Sequence, residues 1–231
     1  MPGRSLIELS PGRRSKVQEG VAHLRALTPL HARQAALPPG VRRVHLTVLN
    51  CLLEESRIPR DTELQACAEE LDVASALQRL STDDLVILNT RGEPVGAYPV
   101  TLAATPHRVC SGGQSIFAMC ALDALAVAPM TGRTTRIASV CDLTDQSIAI
   151  EQAPDETPTN DGMAVQVGIE WREPQGHAAH SLCRNMVFLC GAQVAQRWHE
   201  AGSAREMFAL DEAAVFASEY FMPLMRDAGA E

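Results

Sequence analysis

The sequence lacks the patterns that mark several common classes of protein. No stretch approaches the roughly 20 apolar residues that a helix needs to cross a bilayer, so no membrane span is expected. Lys and Arg number 20 against 28 Asp and Glu, for a net charge of −8. This balance argues against a nucleic-acid binder, because binding phosphates needs surplus positive charge. CxxC, HExxH and GK[ST] motifs are all missing from the sequence, which removes the usual signs of zinc-ribbon, metalloprotease and phosphate-loop sites.

The first residues also lack the apolar segment of a secretory signal. Arg4, Glu8 and Arg13 interrupt any apolar run, so we expect a cytoplasmic protein. Residues 1–40 are rich in Arg, Pro and Gly. They are predicted to form a basic and largely solvated N-terminal extension, with a short amphipathic helix near Val17–Leu27.

Cysteine, in contrast, is plentiful. The chain has seven cysteines: Cys51, Cys67, Cys110, Cys120, Cys141, Cys183 and Cys190. Because this number is odd, the thiols cannot all pair as disulfides. In a reducing compartment such cysteines serve as buried apolar residues, as metal ligands or as nucleophiles.

The rest of the chain divides into two predicted units. In residues 41–108 the apolar positions indicate three helices, a strand at Leu85–Leu88 and a return strand at Val95–Leu102, which is the outline of a winged helix. Residues 109–231 hold an apolar helix, several strands and two closing amphipathic helices. We therefore predict an α+β fold, in which a winged-helix-like N-terminal unit precedes a mixed or antiparallel sheet with flanking helices.

Cys120 and Asp123 lie in the apolar run Ile116–Val127. This run predicts one helix that begins around Ser115 and ends at Pro129, and residues three apart share a helix face. A cysteine in such a run is more often a core residue than a nucleophile. The carboxylate is harder to explain, because burying it is costly unless it is paired or functional. The two side chains therefore form a candidate nucleophile with its own proton carrier.

Four segments, taken in order, carry a resemblance to a known family. They are Met119–Leu125 (MCALDAL), Gly132–Cys141 (GRTTRIASVC), Gly162–Val165 (GMAV) and Ser181–Cys183 (SLC). Over about residues 95–225 the sequence resembles the organomercurial (alkylmercury) lyases. The helix–hairpin unit before it is similar to the winged-helix-like front part of that family, which makes residues 109–231 the expected catalytic domain.

The resemblance implies a role for each matching residue. Cys120 and Cys183 match the two catalytic cysteines, Asp123 matches the catalytic aspartate, and Cys141 matches a cysteine that the family uses structurally. The same three residues, Cys120, Asp123 and Cys183, are expected to hold mercury. From the pattern of residues Leu182–Cys190, Cys183 is expected on a strand.

The implied reaction is protonolysis of a carbon–mercury bond, and the residue types suit it. Mercury is a soft metal that prefers thiolates. Two thiolates on mercury push electron density toward carbon, and Asp123 delivers a proton to it. The products are a hydrocarbon and Hg(II) bound by the two cysteines. No cofactor is expected, and small cytosolic thiols or a mercuric reductase are the expected acceptors of Hg(II).

Two departures and two alternatives remain open from the sequence. Many relatives have a second cysteine where this chain has Arg184, and Cys110 is a candidate accessory thiol. One alternative is a winged-helix metal-sensing regulator, although its recognition helix, residues 72–84, has only Arg79 to offer phosphates. The other is a lyase-like protein that binds soft metals without cleaving carbon–mercury bonds.

Overall fold

Five helices form the first part of the fold. The structure, a computed structural model, describes residues 7–68 and 70–225. The helices are α1 (Pro11–Leu27), α2 (Leu30–Ala35), α3 (Pro39–Glu55), α4 (Asp61–Ala68) and α5 (Val73–Thr82). Asp72 caps α5, because its side chain accepts a hydrogen bond from the Ser75 backbone N–H. α3 is the central helix of this part and packs on α4, α5 and the sheet that follows.

Eight strands form one antiparallel sheet. They are β1 (Val86–Leu88), β2 (Pro94–Ala97), β3 (Val100–Thr101), β4 (His107–Ser111), β5 (Gln114–Ala118), β6 (Thr135–Val140), β7 (Ser147–Gln152) and β8 (Thr159–Asn160). Their order across the sheet is β1-β2-β3-β5-β4-β6-β7-β8. Helix α6 (Ala121–Thr131) connects β5 to β6.

A second antiparallel sheet has three strands in the order β10-β9-β11. They are β9 (Val165–Glu170), β10 (Met186–Cys190) and β11 (Arg205–Ala209), accompanied by α7 (Ala192–Glu200) and α8 (Leu210–Phe221). Short 3₁₀ turns lie at Ala178–His180, Cys183–Asn185 and Met222–Met225. The mixture of helices and antiparallel sheets confirms the predicted α+β class. No helix in the described ranges is long and apolar enough to span a membrane.

α6 is the centre of the core. Its residues from Ala121 to Ala128 are all buried, and it packs on α8, β4 and β10. The helix continues through Pro129, which was expected to end it. Proline has no N–H to donate to the carbonyl of Leu125, four residues earlier. The buried side chain of Gln152 donates to that carbonyl instead, at 3.0 Å, so the helix loses no hydrogen bond there.

From residue 7 onwards, the N-terminal segment corrects the expectation of a solvated extension, and residues 1–6 of that extension lie outside the described residues. α1 is longer than the helix predicted near Val17–Leu27, and it packs along α8. Gly20 lies against Phe216, so closely that a Cβ atom on Gly20 would be 2.7 Å from the Phe216 ring. The basic residue Arg13 forms ion pairs with Asp211 and Glu212 of α8. Positive charge in this segment thus forms ion pairs with α8.

Two predicted boundaries also differ from the structure. The division between residues 108 and 109 falls inside β4, and one sheet continues across it. The return strand expected at Val95–Leu102 is two strands, β2 and β3, which pair with each other in register Ala97↔Val100. The chain reverses at Tyr98-Pro99. Here the turn-forming proline outweighs the β-propensity of its neighbours.

Candidate active site

Cys120 lies at the junction between β5 and α6. It has extended backbone geometry, and its Sγ accepts a hydrogen bond of 3.3 Å from the backbone N–H of Asp123. The thiol therefore caps the helix in the way that a Ser or Asp side chain commonly does. The helix expected from Ser115 is a strand as far as Ala118, because β5 pairs with β3 and β4 on its two edges. A short apolar run cannot distinguish these two structures.

Asp123, in the first turn of α6, is the one acidic group of this junction. Its side chain is 1% exposed, and its Oδ2 atom has no hydrogen-bond partner among the described residues. Burial raises the pKa of the carboxyl group to about 7, although hydrogen bonds from Cys120 and Cys183 oppose this shift. The group can therefore gain or lose a proton near neutral pH.

Cys183 reaches the same place from the other sheet. It begins the 3₁₀ turn Cys183–Asn185 immediately before β10, so the strand expected over Leu182–Cys190 is present only from Met186, and the expectation that Cys183 lies on it was wrong. Pairing with β9 begins only at Met186. Met186 also contacts the site, with its Sδ 3.7 Å from the Cys120 Sγ.

A network of hydrogen bonds holds the segment that leads to Cys183. Asp84 accepts hydrogen bonds from the hydroxyl of Tyr98 at 2.8 Å and from the backbone N–H of Ala178 at 3.2 Å. The Nδ1 atom of His177 lies 2.9 Å from the same carboxylate. The Tyr98 hydroxyl in turn accepts from the backbone N–H of Ala179 at 2.8 Å. Asp84, which lies between α5 and β1, and Tyr98 of the β2–β3 turn thus hold the segment that leads to the Cys183 turn.

The three candidate residues form one buried cluster. A sulfur from Cys120, a sulfur from Cys183 and a carboxylate oxygen from Asp123 all lie within 4.8 Å of one another. Burial, the hydrogen bond to Cys183 and the charge of Asp123 together raise the pKa of Cys120 well above its ordinary value. The pKa of Cys183 is also raised: the hydrogen bond from Cys120 lowers it, but burial and the Asp123 charge outweigh this. Both thiols are thus protonated until something displaces the proton.

A helix N-terminus favours a thiolate over a thiol, but at Cys120 in the free protein this effect is smaller than the cost of burying the charge. Desolvation of a charged group costs more than a helix dipole contributes. Two sulfurs and one carboxylate suit a soft cation, which replaces the thiol protons when it binds. Among the described residues one other group could hold a metal ion, Cys51 with Glu55 and Glu63, but it has a single sulfur and both of its carboxylates are bound by Arg57.

Two cavities adjoin the cluster. The larger, of about 580 Å³, is lined by Cys183, Met119, His107, Arg184 and Phe188 among others. The smaller, of about 20 Å³, is lined by Asp123, Cys183, Thr28, Tyr98 and Tyr220 among others. Cys183 borders both cavities, so it is the thiol that a molecule in the larger cavity meets. Leu24 of α1, Leu30 of α2 and Thr28 between them also line the smaller cavity, so the N-terminal helices form part of its wall.

The structure also shows where the two residues lie whose roles the sequence left undecided. Arg184 is exposed at the rim of the larger cavity. Cys110 is exposed on β4 and is not among the residues that line either cavity. Only Arg184 is therefore near enough to a bound molecule to act on it.

Comparison with known proteins identifies the family. The family model for alkylmercury lyase (MerB) matches residues 100–222, more than half of the chain. The chain belongs to the alkylmercury lyase family. Cys120, Asp123 and Cys183 all lie within the matched residues.

Curated alkylmercury lyases resemble this region at moderate identity. The enzyme of Staphylococcus epidermidis is 33% identical over 126 residues, which are 54% of this chain and 58% of that protein. The alkylmercury lyase of Bacillus cereus is 25% identical over 142 residues, which are 62% of this chain and 63% of the relative. This chain thus spans about three fifths of the length of these lyases.

A solved structure shows the same fold. The crystal structure of the mercury-bound form of MerB2 superposes with a TM-score of 0.72, covering 87% of this chain and 98% of that one at 16% identity. At this identity the likeness shows the fold alone. It extends the similarity beyond residues 100–222 and into the N-terminal helices.

Sequence reasoning missed several residues of this site. Asp84 and Tyr98 are distant along the chain from Cys183, and only the folded chain brings them to its turn. Thr28 was assigned to a solvated extension. The Tyr98-Pro99 step was the available signal, because it indicates a turn where a continuous strand was predicted.

Proposed function

We propose that this protein is an organomercurial lyase that cleaves the carbon–mercury bond of alkyl and aryl mercury compounds. The observation that carries the proposal is the buried cluster of two thiols and one carboxylate within 4.8 Å of one another. Membership of the alkylmercury lyase family supports it. Thiols alone would suffice to bind mercury, whereas the buried Asp123 fits a reaction that moves a proton.

The first step is the attachment of mercury to a thiol. The substrate enters the larger cavity, where Cys183 is the thiol that it meets. Formation of the mercury–sulfur bond displaces the thiol proton, since metal coordination deprotonates a thiol outright. Asp123 accepts a hydrogen bond from Cys183 and has a pKa of about 7, so it can take this proton. The ligand originally bound to mercury leaves.

The second step breaks the carbon–mercury bond. Cys120 adds its sulfur to the same mercury, and the added electron density makes the carbon a better proton acceptor. Asp123 donates its proton to that carbon as the bond breaks, giving a hydrocarbon. Hg(II) stays on the two sulfurs. The Cys183 proton passes through Asp123 to the hydrocarbon, and the Cys120 proton goes into solution, where it neutralises the ligand displaced in the first step, so no oxidant or reductant is needed.

The cavity indicates the class of organic group. Its wall includes the apolar side chains of Ile87, Leu88, Val95 and Met119. A volume of about 580 Å³ lies within the range of small-molecule sites and admits an alkyl chain or a phenyl ring. We therefore expect both alkyl and aryl mercury compounds as substrates.

Product release completes the proposed cycle. The three side chains carry out the reaction without a cofactor, and Hg(II) is a product. Small thiols in excess, or a mercuric reductase, take Hg(II) from the two cysteines by exchange of thiolate ligands. Such acceptors fit a cytoplasmic protein, because that compartment keeps thiols reduced.

The helical part of the chain has its own proposed identity. Helices α3, α4 and α5 followed by the β1–β2 hairpin have the order of a winged helix, and we propose a winged-helix-like unit there. Arg79 of α5 is bound by Asp83 at 2.6 Å, which leaves this face poor in charge for phosphates. The unit instead supplies Asp84 and lines the cavity, so a role in DNA binding is not proposed.

The test is hydrocarbon release from phenylmercury or methylmercury with excess small thiol, measured by headspace gas chromatography. The wild-type protein should release benzene or methane. Asp123→Ala should bind mercury but lose about 10²–10⁴-fold in rate, the usual contribution of a proton carrier. Cys120→Ser and Cys183→Ser should each be inactive.

Cys67→Ser is the matched control, because Cys67 lies on α4, away from the cluster. It should keep full activity. If the wild-type protein binds mercury tightly but releases no hydrocarbon, the protein is a soft-metal binder with the lyase fold and the proposal is wrong.

A further inference from the structure

A second pair of cysteines lies where two strands end. Cys141 immediately follows β6, and Cys190 is the last residue of β10. The backbone N–H of Cys190 donates a hydrogen bond of 3.2 Å to the Cys141 Sγ. The two residues are 0% and 3% exposed. The fold therefore places two free thiols side by side, apart from the catalytic cluster.

The surroundings of this pair are polar on the sulfur side. The Cys190 Sγ lies 3.2 Å from the hydroxyl of Thr144 and 3.3 Å from the Oε1 of Gln146. Burial alone would raise the pKa of Cys141, but the hydrogen bonds from Thr144 and Cys190 bring it below its ordinary value. Cysteines that merely fill an apolar core have no such partners.

One surface turn covers the pair. Residues 142–146 are exposed, and Leu143 is a large apolar residue with 44% of its surface in solvent. The turn closes through a hydrogen bond from the Cys141 N–H to the Gln146 carbonyl, at 2.9 Å. Thr144 and Gln146 of this turn contact the Cys190 sulfur, so this short segment separates the pair from solvent.

The pair also lies near the catalytic cavity. Val140 and Asp142, the neighbours of Cys141 on either side, line the cavity of about 580 Å³ that Cys183 borders. Phe188, two residues before Cys190, lines it as well. A cation released at the cluster is therefore close to the second pair.

We propose that Cys141 and Cys190 form a second dithiol site, which binds Hg(II) or a similar soft cation. Two neighbouring thiols can chelate a soft cation that single cysteines hold weakly. The idea that the protein's own reaction supplies this Hg(II) rests on the proposed function, whereas the binding of Hg(II) by Cys141 and Cys190 does not. When Hg(II) arrives bound to two small thiols, both mercury–sulfur bonds exchange. The two protons of Cys141 and Cys190 then pass to the departing thiols, and no oxidation occurs.

The experiment uses the full chain with Cys120→Ser and Cys183→Ser, which removes the catalytic thiols. Hg(II) is added as its complex with excess 2-mercaptoethanol, the protein is desalted, and mercury per chain is measured by atomic absorption. The double variant should retain mercury in equimolar amount. Adding Cys190→Ala should abolish this retention, whereas adding Cys67→Ser, a matched control, should leave it unchanged.

Folding is checked by circular dichroism, and Cys190→Ser serves as a second variant that keeps the size and hydrogen bonding of the side chain. It should also lose retention, since a hydroxyl is a poor ligand for mercury. The proposal is overturned if the double variant retains no mercury, or if it retains as much after Cys190 is replaced. This experiment measures retained mercury and not hydrocarbon release. Its outcome is therefore independent of whether the lyase proposal holds.

Discussion

Replacing Asp123 by Asn should make the stability of this protein less dependent on pH. Burial raises the pKa of Asp123 from 3.8 to about 7 in the folded protein. The folded state therefore holds this proton more tightly than the unfolded chain does. The stabilisation is fully present below pH 4 and is lost as the pH rises through 7. Asn carries no titrating proton, so Asp123→Asn should escape this loss.

The magnitude follows from the shift of about three pKa units. At 1.36 kcal/mol per unit, ionising the buried carboxyl costs about 4 kcal/mol of folding free energy between pH 4 and pH 8. The stability of Asp123→Asn relative to the wild type should therefore rise by about this amount over the same range. Other buried groups also titrate: burial lowers the pKa of His45 and of His107 to about 4. Both proteins contain them, so their effects cancel in the difference.

The assay is urea unfolding of both proteins at intervals of pH, followed by circular dichroism and by tryptophan fluorescence. Agreement of the two probes shows that unfolding is two-state and that the free energies are comparable. The difference in unfolding free energy should increase steadily between pH 4 and pH 7. Parallel curves for the two proteins would refute the reasoning, because they would mean that Asp123 ionises as easily in the folded protein as in water.

Three further predictions concern the frame around the site. Gly20→Ala should destabilise the protein by about 1–3 kcal/mol, because the added methyl group overpacks the contact between α1 and α8. Gly12→Ala in the same helix is the control: it has open space around it and should be neutral or slightly stabilising. Thermal unfolding measures both effects. Tyr98→Phe should cost about 1–3 kcal/mol in urea unfolding and slow hydrocarbon release, because two hydrogen bonds near the Cys183 turn are lost; unchanged stability and rate would contradict the positioning role. Gln152→Leu should destabilise the protein, because the carbonyl of Leu125 loses its donor. Adding Pro129→Ala should recover much of this loss, because the backbone N–H of Ala can donate to the same carbonyl. If the effects of the two substitutions on the free energy of unfolding simply add, the account of α6 is contradicted.

The chemistry of the site was more predictable than its geometry. The i,i+3 spacing correctly suggested that Cys120 and Asp123 are neighbours, but the contact arises from capping of α6 and not from two side chains on one helix face. The strand before α6 could not be distinguished from a helix, since its pairing with β3 and β4 depends on residues elsewhere in the chain. The meeting of Cys183 with the other two residues came from the family resemblance alone.

The N-terminal helices show why local pattern reasoning was insufficient. Residues 1–40 are polar enough to suggest a solvated extension. Their basic side chains, however, pair with acidic residues that lie about 200 positions later, as Arg13 does with Glu212. Long-range charge pairing leaves no periodic signal in a single sequence. Pro129 illustrates the converse, because a distant glutamine compensates for a residue that ordinarily ends a helix.

The central claim is that a proton from the buried cluster ends on the carbon of the substrate. Its most direct test is to incubate the protein with phenylmercury and excess thiol in heavy water, where exchange loads the thiols and Asp123 with deuterium. Gas chromatography with mass detection should find benzene carrying a single deuterium, and Asp123→Asn should yield almost none. Benzene without deuterium, or equal release by Asp123→Asn, would contradict the account.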